Sequence, residues 1–314
     1  MKHFAYLILT LLLLLSGCTS TEASKDKNDR HIPNEPGINW FKDMQKEFEK
    51  RNNEFKSYWN DFPFNDALLV ASKQTEEKFA IFLLGLYNLD ASKYRHYRYA
   101  QDNAFMQEHI NILMEKVTGF GVNDRFLSLA EKYLYEPNSP YYNDEVYLCF
   151  LKYEAKTDFR HLSQSARFKL HYNMIQKNMV GEPATNFTYE TQTGQKGFLY
   201  EIDAKYLVLF FNDPSCSECK KVKDELLQQQ SALDSLDIKV FAIYIDDKPE
   251  EWRQANYPAG WLNGYAPEID SQDLYNIRAL PCLYLLDKDK KVVHRDTSVE
   301  LIVQFLSFKA HLIK

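Results

Sequence analysis

Residues 206–221 read YLVLFFNDPSCSECKK. The opening apolar run shows no alternation, which marks a strand buried on both faces. From Ser217 the sequence continues SECKKVKDELLQQQSAL, a helical pattern. Cys216 and Cys219 therefore sit where a strand gives way to a helix. Two cysteines at this spacing have three chemical readings: a redox couple, half of a metal site, or a structural disulfide.

The neighbouring sequence sets the fold class. IKVFAIYI (238–245) is a second continuous apolar strand, and PEEWRQAN a short helix. CLYLLDKDKKVVHRD, from Cys282, reads as strand, polar turn and strand, and SVELIVQFLSF as a closing helix. Upstream, NFTYETQTGQKGFLYEI reads as two short strands around a Gly-containing turn. Strands alternating with helices, two of them apolar throughout, give an α/β sheet over residues 181–314. Residues 38–180 have the helical period instead, with breaks at Pro137, Pro140, Gly181 and Pro183 and no fixed repeat. Their many Tyr and Phe residues read as core packing.

The N-terminus has a basic MKH, the apolar run FAYLILTLLLLL and then LSGCTS. This is a secretory signal over residues 1–17, too short for a transmembrane span. Leu15-Ser16-Gly17-Cys18 matches the bacterial lipobox, which makes Cys18 the lipidated residue. Residues 18–37 are polar and read as a flexible tether holding the protein roughly 25 Å from the bilayer. Thr19 is not the aspartate linked to inner-membrane retention, so a lipid-anchored protein of the cell envelope, on the outer membrane, is expected. The 314 residues suit two domains, and a formal charge of −6 without a basic block argues against a nucleic-acid partner. Export also exposes Cys149, Cys216, Cys219 and Cys282 to oxidising conditions.

Cys216 lies at the helix start, where unpaired N–H groups and the positive end of the dipole favour a thiolate. Cys219, one turn on, is placed to resolve a mixed disulfide. Asp213 or Ser215 is expected to cap the helix. Glu218 opposes the thiolate unless Lys220 or Lys221 offsets it, which predicts a reducing couple. Cys282 follows Pro281 and is expected near the pair, as a small buried strand residue or as a third thiol. No histidine stands near these cysteines in sequence, so no metal is assigned. Cys149, inside VYLCFLKY, reads as an inert core thiol.

The order strand, CxxC, helix, strand and X-Pro before a hairpin resembles the thioredoxin fold. The segment DDKPEEWRQANYPAGWLNGYAPEID resembles the insertion of TlpA-like thiol–disulfide oxidoreductases. Residues 38–180 are similar to a helical domain found ahead of such modules in bacterial lipoproteins. The resemblance implies an all-α domain followed by a thioredoxin-like central mixed sheet flanked by helices. It implies a cis-proline loop at Pro281, with Leu280 pairing with substrate backbone. It also implies exchange with protein thiols and disulfides and with an electron donor, the cysteine pair serving in place of a cofactor. The sequence departs from the family where a buried proton-shuttling acid is usual, at Phe210, and where a helix glutamate is usual, at Val222. These departures favour the competing reading, a thioredoxin-fold binding module whose CxxC stays a static disulfide. The intact CxxC and the X-Pro loop favour the enzyme, a thiol–disulfide oxidoreductase of the cell envelope, which is the expected function.

Overall fold

The computed structural model describes residues 36–93, 103–117, 119, 121–160 and 162–312. The signal segment, Cys18 and most of the tether read from the sequence lie outside the described residues. Helix α1 (Pro36–Lys56) begins two residues inside the span read as tether, with Pro36 in the first turn, where a missing N–H costs nothing. The chain divides into two compact units between Glu47 and Phe48. The elements that position the site lie in the unit from Phe48 onward.

Its first part is helical: α2 (Ala67–Ala71), α3 (Lys73–Lys93), α4 (Ala104–Lys116), α5 (Val122–Leu134), α6 (Asp144–Ala155) and α7 (Ser165–Ile175). The run 66–89 is thus two helices, broken at Ser72. Aromatic rings fill this core. The Trp59 indole lies 5.3 Å from Phe62, 5.5 Å from Phe126 and 5.7 Å from Phe82, edge-on to each. Helix α6 is buried along most of its length, from Val146 to Leu151, so it runs through the middle of the bundle. Asn143 caps it, Oδ1 accepting the Val146 N–H at 3.1 Å. Cys149 sits inside this core, and burial pushes its thiol up to about 12.

The second part is a seven-stranded mixed sheet. Its strands are β1 (Thr188–Glu190), β2 (Lys196–Phe198), β3 (Tyr206–Phe211), β4 (Ile238–Tyr244), β5 (Leu262–Tyr265), β6 (Cys282–Asp287) and β7 (Val292–Arg295), in the order β2-β1-β5-β4-β3-β6-β7. Strand β3 lies inside the sheet, parallel to β4 and antiparallel to β6. Its side chains alternate between two cores. Leu207, Leu209 and Phe211 enter one, and Val208 and Phe210 enter the other. Helices α8 (Ser217–Gln228) and α12 (Val299–Leu312) cover the second face through Leu226, Ile302 and Leu306.

The run from Ser217 to Leu233, read as one helix, bends at Gln229 into α8 and α9 (Gln230–Ser235). The insertion 246–270 supplies α10 (Pro249–Gln254), strand β5 and the start of α11 (Glu268–Ser271). Gly264 is what lets β5 pair with β4: a Cβ there would lie 2.8 Å from the Phe241 ring. The expected fold class, a helical domain ahead of a mixed sheet flanked by helices, is the one found.

Candidate active site

Strand β3 ends at Phe211, and Asn212 anchors the turn that follows. Its backbone N–H donates to the Ile243 carbonyl at 3.0 Å, and Nδ2 donates to the carbonyls of Phe210 at 3.0 Å and Ile243 at 3.3 Å. Asp213 Oδ1 then accepts the Ser215 N–H at 2.7 Å and the Ser215 hydroxyl at 2.8 Å, tightening the turn.

Cys216 is itself the N-cap of α8, Sγ accepting the Cys219 N–H at 3.3 Å. Neither Asp213 nor Ser215 fills that position, because their polar groups are spent on each other one step earlier. The sulfur thus sits at the helix end that favours negative charge. The half-buried Cys216 also directs its thiol toward the Leu280 carbonyl, 3.9 Å away. The Leu280–Pro281 peptide is cis, as the resemblance implies. Cys216 and the Leu280–Pro281 pair are therefore brought together from two separate segments of chain.

Cys219 faces inward and is 3 % exposed. The Asp213 N–H donates to its sulfur at 3.4 Å. Burial pushes the Cys219 thiol up to about 12, although the Asp213 N–H works against this. Beside it opens a cavity of about 230 Å³, lined among others by Phe210, Asn212, Asp213, Lys223 and Tyr257. The Tyr257 hydroxyl donates to Asn212 Oδ1 at 3.3 Å. Phe210 occupies the strand position read as lacking an acid, packed in the same core as Cys219.

Two expected modulators fall elsewhere. Glu218 is exposed and turned to Lys221, Oε1 accepting from Nζ at 2.6 Å, so the offsetting lysine is present. Cys282 is not brought to the pair. It stands opposite Phe211 in the β3–β6 register, and cross-strand partners share a face, so its sulfur enters the core on the other side of the sheet. There it points at Asp296 Oδ1, 3.7 Å away, and burial drives its thiol well above the ordinary range. Hence no three-thiol set with Cys216 and Cys219 is assembled. Among the described residues no group of three His, Cys, Asp or Glu side chains is placed to hold a metal ion. Among them, too, no helix is long and apolar enough to cross a membrane.

That opposite face carries residues that sequence reasoning missed. Arg295 Nη2 donates to Asp144 Oδ1 at 2.9 Å, with both side chains nearly sealed from solvent. Asn276 Nδ2 donates to Asp144 Oδ2 at 3.2 Å, and the Tyr135 hydroxyl donates to Asn276 Oδ1 at 3.1 Å. The Arg278 guanidinium lies 3.3 Å over the Tyr135 ring. The helical part thereby holds residues 276–278, the approach to Leu280 and Pro281. The one sequence signal was the polar Asn276 and Arg278 inside the otherwise apolar YNIRALPC.

Two family profiles match the chain: "Thioredoxin-like domain" over residues 199–299 and "Domain of unknown function (DUF5106)" over residues 44–178. A thioredoxin-like protein from Bacteroides caccae is similar over 92% of this chain and 99% of its own, at 28% identity and a TM-score of 0.73. The C-terminal domain of an uncharacterized protein from Bacteroides fragilis matches 41% of this chain and 98% of its own, at 36% identity and a TM-score of 0.40. No curated protein matches the sequence.

Proposed function

From the premise that this chain is a thioredoxin-like protein with a DUF5106 domain ahead of its thioredoxin-like domain, we propose that it is a thiol–disulfide oxidoreductase acting through Cys216 and Cys219. The observation that carries this reading is the placement of Cys216. It caps α8 and faces the Leu280 carbonyl beside Pro281, while Cys219 lies buried behind it.

In the proposed reaction Cys216, as thiolate, attacks one sulfur of a protein disulfide and expels the other as thiolate. The substrate backbone lies along Leu280 and Pro281. Cys219 then attacks the Cys216 sulfur, forms the intramolecular disulfide and releases the second substrate thiol. Two electrons leave the dithiol, and a separate electron donor restores it. The pairing of Glu218 with Lys221 offsets the nearby negative charge, which removes the argument from Glu218 for a reducing couple. Cys18 is proposed to carry the lipid anchor that holds the protein in the bacterial cell envelope, on the outer membrane.

A second reading draws on Phe210: with an apolar ring where a proton-shuttling acid is usual, the domain could bind partners over a static Cys216–Cys219 bridge. Reduction of a protein disulfide by the reduced chain separates the two. With a small-molecule dithiol present to regenerate the cysteine pair, the oxidoreductase gives repeated turnover that Cys216→Ser abolishes. A binding module gives none, and then wild type and variant behave alike. The anchor is checked by fatty-acid labelling in cells, which Cys18→Ser should eliminate.

A further inference from the structure

The resolving step needs somewhere for a proton to go. Cys219 is buried and its thiol is held up to about 12, so at neutral pH it carries the proton that must leave before it can attack. The strand position alongside it is Phe210 and the helix position one turn on is Val222, neither of which accepts a proton. We infer that the Asp213 carboxylate is the proton acceptor for Cys219, reached through the cavity they both line. The inference rests on the oxidoreductase reading above.

Three features of the geometry select Asp213. First, it is tied to the reacting sulfur: its N–H donates to Cys219 Sγ at 3.4 Å, and Ser215 pins its Oδ1 with two hydrogen bonds. Second, the cavity of about 230 Å³ has Asn212, Asp213, Lys223 and Asn256 in its wall and is large enough for several waters, at about 30 Å³ each, to carry a proton between sulfur and carboxylate. Third, Asp213 is the carboxylate among the described residues lining it.

The other ionisable groups that line this space or stand near it do not fit the role. Lys220 and Lys223, from α8, are cations that favour a negative charge but do not take up a proton. Tyr257 donates to Asn212, and burial, followed by the Asp213 charge, drives its phenol upward, so it keeps its proton. Tyr244, from β4, is likewise pushed up to about 12 by burial and by nearby carboxylates that include Asp213. Glu218 is engaged by Lys221 on the exposed side of the helix.

The step balances. The Cys219 S–H bond breaks, and its proton passes through cavity water to Asp213. The freed electron pair forms the Cys219–Cys216 bond, the bond from Cys216 to the substrate sulfur breaks, and the substrate leaves as thiolate. Asp213 then returns the proton to solvent or to that thiolate.

The test uses the full chain, reduced and mixed rapidly with a symmetrical nitroaryl disulfide whose released thiolate is coloured. Attack by Cys216 releases the first equivalent, and resolution by Cys219 releases the second. In Asp213→Asn, which retains an oxygen for the Ser215 contacts, the second phase should slow by about a hundredfold or more while the first stays unchanged. Its rate should also become steeply dependent on pH, and added formate should restore it. Asp224→Asn, which removes an exposed carboxylate of α8 that does not line the cavity, should leave the second phase close to wild type. Equal second phases in wild type and Asp213→Asn overturn the proposal, as does an equal slowing of both phases. Absence of a second equivalent from the wild type instead defeats the oxidoreductase reading on which the proposal stands.

Discussion

The two faces of the central sheet carry thiols of opposite character. On one face Cys216 and Cys219 sit at the start of α8, one half-buried beside the Leu280 carbonyl and the other on a cavity with room for several waters. On the other face Cys282 is buried in the core that also holds Phe211, Tyr275 and Tyr284, with its sulfur toward Asp296. Both faces are apolar cores built from the same strands. What separates the two environments is that Cys216 and Cys219 stand at the start of α8 beside a cavity, whereas Cys282 lies within strand β6. The closed face instead carries the buried contact with the helical part, centred on Asp144 and Arg295.

The largest effect should come from exchanging serine for cysteine on the two faces. Cys219→Ser should halt turnover and leave substrate covalently held on Cys216, visible as a mass increase that a reductant removes. Cys282→Ser should leave turnover within about twofold, since a change this far from the reacting atoms costs packing rather than chemistry. Alkylation of the native dithiol protein should label Cys216 first and leave Cys282 untouched until it unfolds. Loss of turnover in Cys282→Ser would make the two faces one site and break the comparison.

Next in size is the closed face itself. Asp144→Ala leaves the Arg295 guanidinium buried without its carboxylate, an arrangement that typically costs about 3–5 kcal/mol. Urea unfolding should show that loss. Asn276 loses its contact with Asp144 as well, so amide exchange should quicken from Asn276 to Leu280. Unchanged exchange there would mean that the helical part does not steady the proline loop. A milder change tests the charge. Burial holds the Asp144 carboxyl up to about 6, against the pull of Arg295. An unfolded Asp releases its proton near 3.9, so between about pH 4 and 6 the folded chain binds more protons and this group's contribution to stability falls as pH rises. Stability measured relative to Asp144→Asn should therefore decline by about 2 kcal/mol across that window and level off above it. A flat difference would remove burial as the governing cause.

The open face was more legible in sequence than the closed one. YLVLFF announced a buried strand and the cysteine spacing marked its junction with a helix, because both signals are local. The cap was misread because Asp213 and Ser215 are the ordinary capping types, whereas here the cysteine sulfur itself accepts the N–H. Strand β5 escaped because LNGY has no strand pattern; Gly264 is there to admit the Phe241 ring from the neighbouring strand. The face of Cys282 depends on its register with Phe211, which closeness to Pro281 does not disclose. The Asp144–Arg295 pair joins two parts of the chain whose local patterns are independent, so nothing near either residue signals the other.

The smallest predicted effect separates two roles on the open face. Tyr257→Phe removes a hydroxyl that donates to Asn212 Oδ1 at 3.3 Å, while Asn212 keeps its bonds to Phe210 and Ile243. One neutral hydrogen bond of this length is worth about 1 kcal/mol or less, so the unfolding midpoint should barely move. If Asp213 accepts the Cys219 proton, the resolving phase should also stay close to wild type, because the phenol only shapes the cavity wall. A resolving rate that falls in Tyr257→Phe as far as in Asp213→Asn would make the tyrosine an obligatory link between sulfur and carboxylate. The open face would then owe its chemistry to the insertion that brings Tyr257 there as much as to the helix that presents the cysteines.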